Sequence, residues 1–134
     1  MQLSKHRILY IEDHEDTRDL VTLLLQQQNY EVITAPTMAT GKGLAIKEHF
    51  DLYLLDSRLP DGTGVDLCRE LRSIDPLTPI LFYSAAAYEL DKKSAMDCGA
   101  QGYLTKPSAN GDLCHMIEKL ISGATRVGTA GQAH

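Results

Sequence analysis

Cysteine and long apolar runs are both scarce in this chain. The three cysteines, Cys68, Cys98 and Cys114, are odd in number, far apart in sequence and form no CxxC pair. That pattern argues against a disulfide framework and reads as reduced packing thiols in a cytosolic protein. No two Cys or His residues sit at close ligand spacing on a knuckle-like loop, which argues against structural zinc. There is no apolar run long enough, about 18 residues, to read as a membrane span. Residues 1–7 lead straight into a strand-like segment, so no signal peptide is expected. Basic residues are not in excess either. The formal net charge is -5, which argues against non-specific nucleic-acid binding, because that needs Lys and Arg to displace counterions.

What is present fits one domain. A chain of 134 residues suits a single core. The run Ile8-Leu9-Tyr10-Ile11 is apolar throughout, as in a strand covered on both faces. Residues 15–28 turn helical, with Thr17, Leu20, Val21 and Leu24 on one stripe. A second strand is expected over residues 31–35. A second helix is expected over residues 37–49, softened by Gly41 and Gly43. Residues 51–55 form a third strand, followed by the turn-rich loop 57–63. The third helix covers residues 64–73, with Val65, Leu67, Cys68 and Leu71 inward. The fourth strand covers 79–83 and the fourth helix 88–98. The fifth strand covers 101–105 and the fifth helix 109–121, with Leu113, Ile117 and Leu120 inward. Residues 122–134 lose periodicity and read as a disordered tail or linker stub, leaving residues 1–121 as the domain.

Strand and helix alternate five times. Right-handed crossovers then give a parallel sheet with helices on both faces. In such sheets, ligands bind at the carboxyl ends of the strands. Those ends carry Glu12 and Asp13, then Asp56, Ser84 and Lys106. Residues distant in sequence should therefore share one pocket.

Three crowded carboxylates repel, and a divalent cation would relieve the repulsion. An oxygen-only donor set favours Mg²⁺ or a similar hard ion. Lys106 adds a compact positive charge that can pair with a carboxylate or a phosphate oxygen. The combination suits phosphoryl transfer, with Asp56 as nucleophile.

Taken singly, each residue has a plainer reading. Asp56 could initiate the turn through Pro60-Asp61-Gly62. Glu12 or Asp13 could cap the first helix, and Lys106 could be a solvated surface charge. Ser84 is undistinctive alone. His6, His14, His49, His115 and His134 show no metal-ligand spacing. His14 lies beside the acidic pocket and is expected to be exposed. Tyr88, Leu90 and Met96 on the fourth helix read as packing residues, with exposure as the alternative.

Taken together, four segments resemble the receiver domain of two-component response regulators. They are residues 8–13, ending Glu12-Asp13, and residues 54–62, containing Asp56 and Pro60-Asp61-Gly62. The others are Tyr83-Ser84-Ala85 and residues 99–107, ending Lys106-Pro107. The resemblance implies a flavodoxin-like, doubly wound (βα)5 fold with strand order 2-1-3-4-5. It implies that Asp56 is the phosphoacceptor and that Asp13 binds Mg²⁺ or Mn²⁺ directly, with Glu12 acting through water. The backbone carbonyl of Arg58 would complete the protein ligands. Ser84 and Lys106 would hold phosphoryl oxygens, and Tyr103 resembles the aromatic switch residue. The Lys106-Pro107 bond resembles a cis bond common in the family. Glu12 departs from the commoner Asp by one methylene.

The resemblance implies a cytoplasmic signalling module and not an enzyme in the ordinary sense. Its partners would be a sensor histidine kinase or histidine phosphotransfer protein, and its readout the face of helix four, strand five and helix five. Direct nucleic-acid or membrane binding is not expected of this segment. A metal-dependent phosphohydrolase with an aspartyl-phosphate intermediate is the alternative. Against it, Ser57 and Arg58 follow Asp56 where an acid-base carboxylate would be needed. A constitutive interaction domain of the same fold is a third reading, which the intact site residues oppose.

Overall fold

The computed structural model describes residues 5–86, 89–108 and 110–132. The chain runs β1 (Arg7–Ile11), α1 (Glu15–Gln27), β2 (Glu31–Ala35), α2 (Met38–Lys47) and β3 (Leu52–Leu55). A short hairpin follows, β4 (Arg58–Leu59) and β5 (Gly62–Thr63). Then come α3 (Gly64–Ile74), β6 (Ile80–Ser84), α4 (Glu89–Asp97), β7 (Gly102–Thr105) and α5 (Asn110–Gln132).

The five-stranded sheet is parallel and ordered β2-β1-β3-β6-β7. Counting sheet strands alone, this is the expected 2-1-3-4-5. Strand alternation divides the core into two faces. Leu9, Ile11, Tyr53, Leu55, Ile80 and Phe82 face one way, against Leu67, Cys68 and Leu71 of α3 and Ala95 of α4. Ile8, Tyr10, Leu52, Leu54, Leu81 and Tyr83 face the other way, against Val21 and Leu25 of α1 and Leu113, Ile117 and Ile121 of α5. A strand with both faces covered has no polar position to spare, which is why β3 reads Leu-Tyr-Leu-Leu and is buried throughout.

Several local expectations change. The loop 57–63 contains the β4–β5 pair, with Arg58 opposite Thr63 and Leu59 opposite Gly62. His14, not Glu12 or Asp13, caps α1, accepting from the Thr17 N–H at 3.2 Å. Leu20 points to solvent at 69% exposure, and Val21 and Leu25 carry the buried stripe instead. In α2, Gly41 permits close approach, because a Cβ there would meet Ile11 Cγ1 at 2.6 Å. Leu90 and Met96 are exposed, so neither is a packing residue. Helix α5 continues past Ile121 to Gln132. No proline interrupts that stretch, so its backbone bonds can propagate where apolar periodicity gives no signal. Tyr88 and Ala109, expected to start the fourth and fifth helices, lie outside the described residues. Among the described residues, no helix is long and apolar enough to cross a membrane.

Candidate functional site

Strand register assembles the site. Ile11 pairs with Leu55, so the next residues, Glu12 and Asp56, emerge side by side. Backbone bonds from the Glu12 N–H to the Ala35 carbonyl (3.0 Å) and from the Asp56 N–H to the Ile11 carbonyl (3.2 Å) fix both exits. Ser84 pairs with Thr105 across β6 and β7. The Lys106 N–H donates to the Ser84 carbonyl at 2.7 Å, and the Lys106-Pro107 bond is cis.

Glu12 is buried, at 1% exposure. Its Oε1 accepts from Lys106 Nζ at 2.6 Å and from the Tyr10 hydroxyl at 3.4 Å. Its Oε2 accepts from the His14 N–H at 3.2 Å. Burial pushes the Glu12 carboxyl up, but the Lys106 ammonium and the His14 N–H outweigh that and hold it below its ordinary value. Asp56 is half-buried, and its Oδ1 accepts from the Ser57 N–H at 2.7 Å. Its Oδ2 lies 3.8 Å from Lys106 Nζ, farther than Glu12 does. Burial drives the Asp56 carboxyl up to about 6, with Glu12 pushing the same way and Lys106 opposing. Burial and the Glu12 charge push the Tyr10 phenol well above its usual range.

Asp13 completes the cluster from the exposed side. Oxygen atoms of Glu12, Asp13 and Asp56 all lie within 4.8 Å of one another. The donors are oxygens only, and a divalent cation would favour the ionised form of the Asp56 carboxyl, which burial first and the Glu12 charge second push up. The residues therefore fit such an ion. Arg58 opens β4 two residues past Asp56, with its side chain exposed.

Ser84 is buried, and its Oγ accepts from the Ala86 N–H at 3.1 Å. Tyr103 is half-buried. Its ring stacks on Phe82, with centroids 5.9 Å apart and planes 12° apart. Its hydroxyl donates to the Ala86 carbonyl. His14 is exposed, as expected.

Three contributors escaped the sequence reading. Tyr10 lies two positions before Glu12, and that strand spacing is its one signal in the sequence. Gly64 lies against the Asp56 turn, where a Cβ would strike the Asp56 carbonyl and come within 2.8 Å of the Phe82 ring. Ala86 joins Ser84 to Tyr103 through backbone groups, which side-chain identity cannot signal.

The chain belongs to the response regulator receiver domain family, whose model matches residues 8–118. A probable transcriptional regulatory protein of Picosynechococcus is 40% identical over 125 residues, covering 88% of this chain and 50% of that protein. The transcriptional regulatory protein CreB of Escherichia coli is 28% identical over 127 residues, covering 95% of this chain and 56% of CreB. Among solved structures, a CheY-like receiver domain protein from Methanospirillum hungatei matches with a TM-score of 0.88 at 27% identity, covering 92% of this chain and 98% of that one. The non-phosphorylated HemR receiver domain from Leptospira biflexa matches at 0.82 and 33% identity, covering 88% and 95%. The chain spans about half the length of the curated relatives it matches. It is thus a receiver module of the kind found in two-component response regulators.

Proposed function

We propose that Asp56 accepts a phosphoryl group from a phosphohistidine on a partner protein, a sensor histidine kinase or a histidine phosphotransfer protein. The observation that carries this reading is the convergence of Glu12, Asp13 and Asp56 oxygens within 4.8 Å, with Lys106 alongside. Glu12, Asp13, Asp56 and the backbone carbonyl of Arg58 would hold Mg²⁺ or Mn²⁺. Once bound, that ion would supply positive charge for the phosphoryl oxygens.

The chain's own residues do the rest. An Asp56 carboxylate oxygen attacks phosphorus in line. A new O–P bond forms as the N–P bond breaks, and the imidazole leaves with the electron pair and takes up a proton. Asp56 must be ionised to attack, so Lys106 favours the reactive form by opposing the upward push of burial. Lys106 then has a phosphoryl oxygen to pair with. Ser84 can turn its hydroxyl from the Ala86 N–H to another oxygen.

That turn reaches the surface. Losing Ser84 frees the Ala86 peptide, which Tyr103 also holds. The face of α4, β7 and α5 would then shift between two arrangements that a listener can distinguish. Relatives described as transcriptional regulators are about twice as long, which suits an output segment joined to such a receiver. Residues 1–121 would form the receiver and residues 122–134 its connection. A kinase donor and reduced thiols suit the cytoplasm.

The test is mass spectrometry after incubation with a small phosphodonor and Mg²⁺. Wild type should gain one phosphoryl group and Asp56→Asn none. No gain on wild type, or an equal gain on the variant, overturns the reading.

A further inference from the structure

Helix α2 has backbone donors at its start that need partners. Its cap, Thr37, accepts from the Thr40 N–H at 3.1 Å. The Met38 and Ala39 N–H groups go elsewhere. They donate to the two carboxylate oxygens of Asp61, at 2.8 and 3.0 Å. Asp61 is exposed and sits in the turn between β4 and β5. The Met38 sulfur also lies where a side chain on Gly62 would begin.

That turn belongs to the segment joining Asp56 to α3. Arg58 pairs with Thr63 across it, and the Gly64 N–H donates to the Ser57 carbonyl at 2.8 Å to close its base. The segment is therefore gripped at its inner end by Asp56 and Gly64 and at its outer end by α2. Two N–H groups matched by two oxygens form a fork with little freedom. A carboxylate at a helix start is also favoured by the helix dipole. Asparagine would not replace it, because it offers one acceptor and turns an NH₂ group toward the second N–H.

We infer that Asp61 is a positioning residue for cation binding: by clamping the β4–β5 turn to the first turn of α2, it sets where the Arg58 backbone carbonyl stands. This rests on the proposed reading of the site. Asp61 touches neither the phosphoryl group nor the acidic cluster, so its effect is indirect. Coupling is reciprocal, and cation binding should in turn tighten the start of α2.

The test is calorimetric titration of the full chain with Mg²⁺ alone, for wild type, Asp61→Asn and Thr37→Ala. Thr37→Ala weakens the capping of the same helix without touching the turn. Urea unfolding of both variants shows that each remains folded. Asp61→Asn should bind Mg²⁺ at least about fivefold more weakly, within the usual range for coupled sites, while Thr37→Ala stays close to wild type. At saturating Mg²⁺, Asp61→Asn should be phosphorylated at nearly the wild-type rate. Wild-type affinity in Asp61→Asn, or an equal loss in Thr37→Ala, overturns the inference and leaves the site reading intact. A wild type that does not bind Mg²⁺ overturns the site reading itself.

Discussion

Ser84 and Tyr103 are bonded to opposite ends of one residue, Ala86. The Ala86 N–H donates to Ser84 Oγ at 3.1 Å, and the Ala86 carbonyl accepts from the Tyr103 hydroxyl. A hydroxyl drawn toward a phosphoryl oxygen therefore pulls on the residue that holds the ring. The expected outcome is a change in the Ala86 amide resonance and in the Tyr103 ring resonances when Asp56 is phosphorylated. Ser84→Ala should still take up the phosphoryl group while its Tyr103 resonances move much less. Equal Tyr103 shifts in both proteins would disconnect the two hydroxyls.

Lys106 and Glu12 make the tightest ion pair of the site, at 2.6 Å with Glu12 at 1% exposure. Lys106→Met keeps the length of the side chain and removes the charge, leaving a buried carboxylate uncompensated. The loss should be about 3 kcal/mol at neutral pH by urea unfolding. Sign follows from the depressed Glu12 carboxyl. Its stabilisation is present above the unfolded carboxylate range and is lost as pH falls through the folded value. The gap between wild type and Lys106→Met should therefore narrow in acid. Adding Glu12→Gln should recover part of the loss, because the stranded charge is gone.

Asp56 titrates with the opposite sign. Its folded carboxyl lies near 6, above the ordinary value of 3.8. Between those values the folded chain holds a proton that the unfolded chain has lost, so stability falls as pH rises through the window. In metal-free buffer, Asp56→Asn should match wild type near pH 4 and become more stable above about pH 6, by roughly 1–3 kcal/mol. Mg²⁺ should shrink that advantage, since a cation favours the ionised carboxylate. An Asp56→Asn advantage that is flat with pH would mean that charge is not the cause.

The sheet and the strand-end residues were legible because they depend on simple periodicities. A doubly covered strand shows an apolar run, and its last residues point to the ligand end. Those two features put Glu12, Asp13, Asp56, Ser84 and Lys106 at the same end of the sheet. They do not rank these residues. That Lys106 sits closer to Glu12 than to Asp56 depends on side-chain reach. The β4–β5 pair is not legible in the sequence because two-residue strands carry no period. Leu20 faces solvent against expectation because a helical stripe near its edge is settled by neighbours, here Val21 and Leu25. Backbone partners such as Ala86, and caps across 22 or 23 residues such as Asp61 on α2, leave no local trace.

Gly64 supplies the most demanding packing test. Its Cα faces the Asp56 carbonyl and the edge of the Phe82 ring, and an added Cβ would meet both. Backbone on one side cannot yield the way a flexible side chain can. Gly64→Ala should push the Asp56 turn outward and cost about 1–3 kcal/mol of stability, the usual range for overpacking. It should also weaken Mg²⁺ binding, because the displaced atoms belong to Asp56 itself. Gly43→Ala is the control, since nothing lies within 4 Å of its added Cβ. There, in an α2 otherwise unchanged, the gain in helix propensity should raise stability slightly. Measured by urea unfolding and Mg²⁺ titration, the two substitutions should move in opposite directions in stability, and only Gly64→Ala should change affinity. A Gly64→Ala protein with wild-type stability and affinity would show that the Asp56 turn relaxes freely.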